Sequence, residues 1–109
     1  MVLSMVNKNF TIVRGNSLQF RLNFINAESL PDQITMIVKN KNSDSTSVLK
    51  LSINNGIYKV EDEDSYDFYI PAIDTEDLEL LNYIYQITVV YGSDYDTVVE
   101  GKLIITPEL

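Results

Sequence analysis

The chain has 109 residues, which is enough for one domain, residues 1–109, with its own hydrophobic core. It contains no cysteine and no histidine, so disulfides, zinc–thiolate sites and histidine-based catalysis are excluded. Sixteen acidic residues against eight basic ones give a net charge of −8, which argues against nucleic acids and anionic membranes as partners. The start of the chain lacks the pattern of a signal peptide, and no stretch approaches the roughly 20 apolar residues of a membrane span.

The first strands are predicted near the start of the chain. Residues 1–8 are expected to form a flexible arm or the approach to a strand at 10–13. A turn follows, because Gly15 and Asn16 both tolerate positive φ. From residue 17 to 25, apolar and polar side chains alternate with a period of two, which is typical of a strand with one buried face. The side chains expected to face inward are Leu18, Phe20, Leu22 and Phe24.

Two strands and a tight turn are predicted in the middle of the chain. In the first strand the apolar residues expected to face inward are Ile34, Met36 and Val38. Thr35 and Lys39 are expected to face outward. The second strand spans Val48–Ile53 and runs into Asn54-Asn55-Gly56. Because Asn-Gly suits the two positive-φ positions of a type I′ turn, residues 57–60 are expected to pair back across this turn.

An acidic loop, a strand and a helical turn are predicted next. The loop is expected at 61–64 and the strand at 66–70. The inward side chains of this strand are Tyr66, Phe68 and Ile70. Residues 74–81 are the one helix-like segment, and a single short turn capped by Asp74 or Thr75 is expected there.

The stretch from Leu81 to Ile105 predicts a β-hairpin. Two runs rich in Tyr, Ile, Val and Thr flank a short turn at 92–94. The residues expected on the buried face are Tyr85, Ile87, Val89, Val99, Leu103 and Ile105. Those expected to point away are Gln86, Thr88, Glu100 and Lys102. Together the segments predict seven or eight short strands, which is the pattern of an antiparallel sandwich or barrel.

The acidic loop is a candidate calcium site, because calcium prefers several hard oxygen ligands close together. The candidate ligands are Glu61, Asp62 and Asp64, with Asp67 nearby. However, the loop lacks the ligand spacing of an EF-hand. The favoured interpretation is a solvated, self-repelling loop, so no cofactor is expected.

Paired carboxylates for glycoside hydrolysis are a second candidate. Glu79 or Glu100 could in principle pair with an aspartate, but nothing in the pattern places two acids on one buried face. Ser17 and Ser65 have no base to activate them. We therefore expect that the chain is not an enzyme.

The seven tyrosines are the third candidate. Tyr69, Tyr91 and Tyr95 are expected away from the core and are candidate residues of a protein interface or a sugar-binding platform. The alternative is that tyrosine is frequent here because it fits half-buried strands. Tyr83 or Tyr85 resembles the position of a tyrosine corner, whose hydroxyl bonds to the upstream backbone.

Five segments carry a resemblance to a known group of proteins. They are FTIVRGNS (10–17), YDFYIP (66–71), DTEDL (74–78), YIYQITV (83–89) and TVVEGKLIITPE (97–108). Their order resembles that of short phage proteins and of the N-terminal modules of baseplate upper proteins from phages that infect Gram-positive bacteria. In this chain Asn16 replaces the usual acidic residue after Gly15, and Asn82 stands where a glycine often precedes the first tyrosine. Asparagine tolerates the left-handed conformation that such turns need.

The resemblance implies a fold, a role and a location. The fold is an all-β, Ig-like antiparallel sandwich of about seven to eight strands, with one short helical turn near 74–81. The role is that of a virion structural protein, a tail or baseplate adaptor that assembles in the host cytoplasm. Its partners are other virion proteins and copies of itself, so a homo-oligomer is expected in the particle. Two alternatives stay open: a carbohydrate-binding β-sandwich module, and an Ig-like protein that decorates the capsid.

Overall fold

A computed structural model describes residues 6–24, 29–40, 47–79 and 82–107. These residues form nine strands and one short helix. In chain order the elements are β1 (Val6–Asn7), β2 (Phe10–Val13), β3 (Leu18–Asn23), β4 (Gln33–Lys39), β5 (Leu49–Ile53), β6 (Gly56–Lys59), β7 (Ser65–Ile70), α1 (Ala72–Glu76), β8 (Asn82–Tyr91) and β9 (Asp94–Thr106). No helix in the described residues is long and apolar enough to cross a bilayer.

The strands form two packed layers. One layer has β1 and β2 beside β9, followed by β8, β4 and β5, and the other contains β6, β7 and β3. A short pairing between β5 and β6 joins the two layers at one side. Every inward position predicted for β4 and β7 is buried, and those of β3 are at least half-buried. The chain is therefore an all-β sandwich, as the alternation of its residues predicts.

The predicted β8–β9 hairpin is confirmed. Tyr85, Ile87 and Val89 are buried, and the strands pair antiparallel across the whole length of β8. A register shift follows Ile87, so β9 carries one extra residue and both Val98 and Val99 are buried. The expectation that Thr88 points into solvent is wrong, because it is buried between neighbouring strands.

The N-terminal segment departs from the prediction of a purely antiparallel sheet. Both β1 and β2 run parallel to β9, with Val6 opposite Val99 and Phe10 opposite Leu103. The Lys8 N–H donates to the Glu100 carbonyl at 2.9 Å. Residues 6–8 are therefore bound to the sheet and are not part of a flexible arm, because β9 offers them an open edge. Residues 1–5 of the predicted arm lie outside the described residues.

The predicted type I′ hairpin at Asn55-Gly56 is wrong. The positive φ values are at Asn54 (67°) and Gly56 (97°), whereas a type I′ turn centred on Asn55-Gly56 needs one at Asn55. β6 meets β5 only in a two-residue parallel register and then pairs antiparallel with β7. This path places Ile57 beside Phe68, and both side chains are completely buried. Core burial in the second layer therefore overrides the local turn signal.

The predicted helical turn at 74–81 is displaced. The helix α1 spans Ala72–Glu76, begins at an N-cap Pro71 and has no side-chain cap. Thr75 is not a cap but is fully buried. Its Oγ1 accepts a hydrogen bond from the Gly15 N–H at 3.1 Å and lies 2.7 Å from the Asn16 carbonyl oxygen. The threonine therefore anchors α1 to the turn between β2 and β3. Residues 80–81 of the predicted segment lie outside the described residues.

An aromatic stack connects the two layers. The ring of Phe10 lies 4.6 Å from Phe20 and 5.6 Å from Tyr85, and Phe20 lies 4.8 Å from Phe68, between ring centroids. Phe10 and Tyr85 belong to one layer, and Phe20 and Phe68 to the other. Such aromatic pairs stabilise by about 0.5–1.5 kcal/mol beyond the area that they bury. The stack therefore holds the layers together without a disulfide.

Two adjacent inward tyrosines of β8 bond to the backbone outside the strand. The Glu79 N–H donates to the Tyr83 hydroxyl at 2.8 Å, four residues upstream, which is the geometry of a tyrosine corner. The Tyr85 hydroxyl donates to the Lys8 carbonyl at 2.6 Å, and burial raises the pKa of Tyr85 to about 12. The predicted corner is therefore Tyr83, while Tyr85 fixes the junction of β1 and β2.

Candidate interaction surfaces

The three tyrosines predicted to form an interface do not share one surface. Tyr69, on β7, is 40% exposed, and Tyr95, on β9, is 69% exposed. Tyr91 is half-buried at the end of β8, where its hydroxyl donates to the Ser29 carbonyl at 3.3 Å. Burial raises the pKa of Tyr91. Tyr91 and Tyr95 thus lie at the tip of the hairpin, and Tyr69 lies in the other layer.

Tyr69 borders a groove with a tyrosine that the sequence reasoning missed. Tyr58 is 48% exposed on β6, and the groove beside the two tyrosines has a volume of about 230 Å³. Its lining includes Lys50, Asn55 and Asp74. The volume is below the ~300 Å³ at which pockets for drug-sized ligands begin, so the groove suits a small group. The alternation with buried Ile57 is the signal that could have found Tyr58.

The acids of the candidate calcium loop at 61–64 are not gathered around a common point in the structure. The described residues contain no group of three or more acidic side chains placed to hold a metal ion. The four side chains from Glu61 to Asp64 are exposed. The Lys59 ammonium donates to the carbonyls of Val60 and Glu63 and so holds the loop closed. The calcium hypothesis for Glu61, Asp62 and Asp64 therefore has no geometric support.

Asp67 is engaged by an arginine on the neighbouring strand. The Arg21 guanidinium donates to both carboxylate oxygens, from Nε at 2.7 Å and from a terminal nitrogen at 3.2 Å. It also lies 3.6 Å from Glu63. The hydrogen bond from Arg21 lowers the pKa of Asp67, and the same bond raises the pKa of Arg21. This ion pair links β3 to β7 on the outer surface.

The two acids considered for hydrolysis lie on different surfaces. Glu79 is exposed beyond α1. Glu100 is half-buried on β9, where it accepts a hydrogen bond from the Gln86 amide at 3.4 Å. Neither position faces a buried cleft that holds a second acid in the geometry of a glycosidase.

The outer surface of β9, β8, β4 and β5 carries three lysines around an apolar centre. In the strand register, Ile84 lies between Lys39 and Lys102, and Ile37 lies opposite Lys50. Both isoleucines are half-buried. We call this surface the lysine face, and its residues are Ile37, Lys39, Lys50, Ile84, Gln86, Glu100 and Lys102, of which Glu100 is the one acid, opposite Gln86 in the strand register. Two shallow cavities of about 60 and 310 Å³ open onto it.

An acidic surface, in contrast to the basic lysine face, lies around α1. Ile73 is 68% exposed, which is unusual for a large apolar side chain. Four exposed carboxylates follow it within six residues, while Thr75 and Leu78 face the core. We call this surface the acidic end, and its residues are Ile73, Asp74, Glu76, Asp77 and Glu79. The sequence pattern predicts the acids of this surface but not the exposure of Ile73.

Comparison with known proteins identifies the fold. A marsupial T cell receptor structure superposes with a TM-score of 0.58 at 14% identity, covering 93% of this chain and 50% of the other. The extracellular domain of mouse leukocyte-associated immunoglobulin-like receptor 1, a strand-swapped dimer, superposes with a TM-score of 0.54 at 9% identity, covering 90% and 87%. The fold is immunoglobulin-like. The chain spans about half the length of the receptor chain in the first comparison. No protein-family model and no curated protein matches the sequence.

The immunoglobulin-like fold explains the place of Tyr85. In antibody domains the tyrosine of the corner precedes a disulfide cysteine by two residues. Here Tyr83 occupies the corner, and the residue two positions later is Tyr85. The Tyr85 ring packs on Phe10 of its own layer, and Phe10 stacks on Phe20 of the other layer, so aromatic contacts connect the two layers.

Proposed function

We propose that the chain is a structural protein of a bacteriophage virion, an assembly module of the tail or baseplate that acts through protein–protein contacts. The proposal is supported by the resemblance of five sequence segments to phage baseplate modules and by the immunoglobulin-like sandwich that these segments build. The proposal places the chain among structural proteins rather than among enzymes.

The observation that carries the proposal is the uneven distribution of charge on the surface, with a basic and an acidic surface that meet at the groove lined by Lys50 and Asp74. Three of the eight basic residues lie on the lysine face, and four of the sixteen acidic ones lie at the acidic end. Each surface includes an isoleucine, and the lysine face carries three lysines and one acid, Glu100, whereas the charged residues of the acidic end are all acids. Complementary potentials of this kind set the orientation and specificity of protein contacts. Particles built from repeated, symmetric contacts need such surfaces.

The internal chemistry agrees with assembly in a host cytoplasm. The chain has no cysteine, and the aromatic stack links its layers instead. A fold of this type forms without an oxidising compartment. The mature location that we propose is the virion.

Mass spectrometry of purified virions tests the proposal directly. We expect the chain in the particles at many copies, in a fixed ratio to the tail proteins. Separation of heads from tails before the measurement distinguishes a tail module from a capsid-decorating one. Absence of the chain from both fractions contradicts the proposal.

Carbohydrate binding is a second candidate, favoured by one observation. Tyr58 and Tyr69 border the groove on the outer surface of β6 and β7, and exposed aromatic rings with polar neighbours suit the faces and hydroxyls of a sugar. A glycan array with the natural chain and with Tyr58→Ala tests this candidate. Tyr95→Ala is the matched control, because it removes an exposed tyrosine away from the groove. Binding that is lost only in Tyr58→Ala supports the candidate, and no binding at all rejects it.

A further inference from the structure

We infer that the lysine face of one copy binds the acidic end of a second copy. The contact is heterologous, because two different surfaces of the same chain meet. This inference rests on the proposed function and specifies the contact by which copies would assemble. It follows from the shape and charge of the two surfaces.

The lysine face offers an apolar centre with three lysines and one acid, Glu100, around it. Ile84 has a lysine on each side in the cross-strand row, Lys39 on β4 and Lys102 on β9. Ile37 has Lys50 on one side and Gln86 on the other. The lysine stems can pack beside the isoleucines while their ammonium groups stay at the rim. The face thus favours a partner with an apolar centre and a negative rim.

The acidic end has these properties. Ile73 protrudes with 68% of its surface exposed. Asp77 follows it by four residues and Asp74 by one, so helical spacing places Ile73 and Asp77 on the same side of α1. Thr75 and the Gly15–Asn16 backbone fix the orientation of this turn. The surface is therefore an anchored apolar side chain with Asp77 on its side of α1 and three further carboxylates close in sequence.

Charge decides between this contact and a symmetric one. A two-fold contact through the lysine face would place lysines opposite lysines, and one through the acidic end would place acids opposite acids. At a net charge of −8, copies repel each other at long range. Two other basic residues, Arg21 and Lys59, are already bound to the acidic loop and Asp67. The lysine face is thus the basic surface best placed to receive the acidic end.

The position of the two surfaces has a consequence for symmetry. The lysine face is on the side of the sandwich, whereas the acidic end lies where β7 leaves the sheet. When the lysine face of one copy binds the acidic end of another, the first copy still has a free acidic end and the second still has a free lysine face. Further copies can therefore add, which produces a ring if the rotation closes and an open array if it does not. Repetition of the contact along a ring or array strengthens the assembly as a whole.

A charge-swap experiment tests the contact. Variant one carries Lys39→Glu and Lys102→Glu, and variant two carries Asp74→Lys and Asp77→Lys. The full chains are measured by sedimentation velocity over a range of concentrations, at low and high salt. We expect the natural chain to associate at low salt and less at high salt. Each variant alone should associate at least about tenfold more weakly, because variant one makes both surfaces acidic and variant two leaves the acidic end with no net charge to attract the lysines. An equimolar mixture should associate again.

A control variant separates the contact from net charge. Glu61→Lys with Asp64→Lys changes the charge as much as variant two does, but at the acidic loop. It should associate at least as well as the natural chain, and circular dichroism checks that every variant is folded. The inference is overturned if the mixture associates no better than its components, or if the control loses association as variant two does. Recovery when variant one is mixed with the natural chain, with variant two unaffected, would instead indicate a two-fold contact through the lysine face.

The outcome is independent of the test for virion location. If virions contain the chain but the mixed variants stay monomeric, the structural role stands and this contact is wrong. If the mixture associates but virions lack the chain, the contact stands and the virion role is wrong.

Discussion

Two short segments outside the main strand pairs are attached to the sandwich, and they are attached in different ways. The junction of β1 and β2 lies against Gly101 of β9, where a Cβ on the glycine would come within 1.9 Å of the Lys8 carbonyl oxygen. The helix α1 is held instead by the hydroxyl of Thr75. The first attachment is possible because Gly101 has no side chain, and the second depends on the side chain of Thr75. Close backbone approach leaves no room for adjustment, whereas a hydroxyl contact can be lost without a clash.

The largest effect is expected at the first attachment. Gly101→Ala should lower the free energy of unfolding by more than about 3 kcal/mol or detach the N-terminal strands, because a backbone atom cannot move away as a flexible side chain can. Chemical denaturation measures the first outcome, and hydrogen exchange at the Lys8 amide measures the second.

Gly92→Ala is the control for that experiment. Nothing lies within 4 Å of a Cβ at this position, and only its positive φ opposes the change. The expected cost is about 1 kcal/mol. Equal costs for the two variants would show that the close approach at Gly101 is not tight.

The second attachment should respond to loss of a single hydroxyl. Thr75→Val keeps the shape but removes the acceptor for the Gly15 N–H, and we expect a loss of about 2 kcal/mol in unfolding free energy. Thr75→Ser keeps the hydroxyl and is the matched control. Equal stability of the valine and serine variants would contradict the role of the hydroxyl.

Tyr85→Phe tests the first attachment through the β8 residue that bonds to it. The substitution removes the donor to the Lys8 carbonyl and leaves the ring in the aromatic stack. A loss of about 1.5 kcal/mol is expected, together with faster amide exchange in β1. Thermal denaturation measures the loss. An unchanged melting temperature in Tyr85→Phe would mean that the hydroxyl contributes nothing to holding the N-terminal segment.

Alkaline pH should weaken the same attachment. The pKa of Tyr85 is about 12 in the folded chain and 10.0 in the reference state, so above pH 10 the unfolded chain releases this proton first. Stability is therefore full below pH 10 and falls as the pH rises towards 12, by about 1 kcal/mol at pH 11. Denaturation curves at pH 8 and 11 measure the loss. Tyr85→Phe should lose less between these values, and an identical loss would contradict the assignment.

The smallest effect is expected at the corner. Tyr83→Phe removes only the acceptor for the Glu79 N–H, at a position close to solvent-exposed residues. We expect a loss below about 1 kcal/mol. A loss larger than that of Tyr85→Phe would reverse the ranking of the two tyrosines and would show that the corner matters more than the N-terminal junction.

Local pattern was sufficient for much of the fold. The period of two in β3, β4, β7 and β8 identified the buried faces, because one side of each strand packs on the core. The pattern failed where a distant contact decides the path. The signal of Asn55-Gly56 was overridden by the burial of Ile57 beside Phe68, and the parallel pairing of β1 and β2 depends on an edge of β9 that lies far along the chain.

For the candidate surfaces, the sequence predicted individual exposed residues but not how they lie together. Alternation placed Lys39 and Lys102 on the outside of their strands, but their arrangement on both sides of Ile84 depends on the order β4–β8–β9, which no local pattern contains. Exposure of Tyr69 and Tyr95 was predicted correctly, while their separation onto different layers was not. Ile73 was missed because the predicted helical turn began after it.

The parallel pairing of β1 and β2 with β9 affects how the chain matures on the ribosome. Val6 pairs with Val99, and Phe10 with Leu103, so the first strands to be synthesised bind to the last. Until β9 emerges from the exit tunnel, Phe10 and Ile12 have no docking place in the sheet and stay accessible to chaperones. Pairing across so large a sequence separation is slow. Closure of the N-terminal junction is thus expected as a late step of folding, after β9 is available.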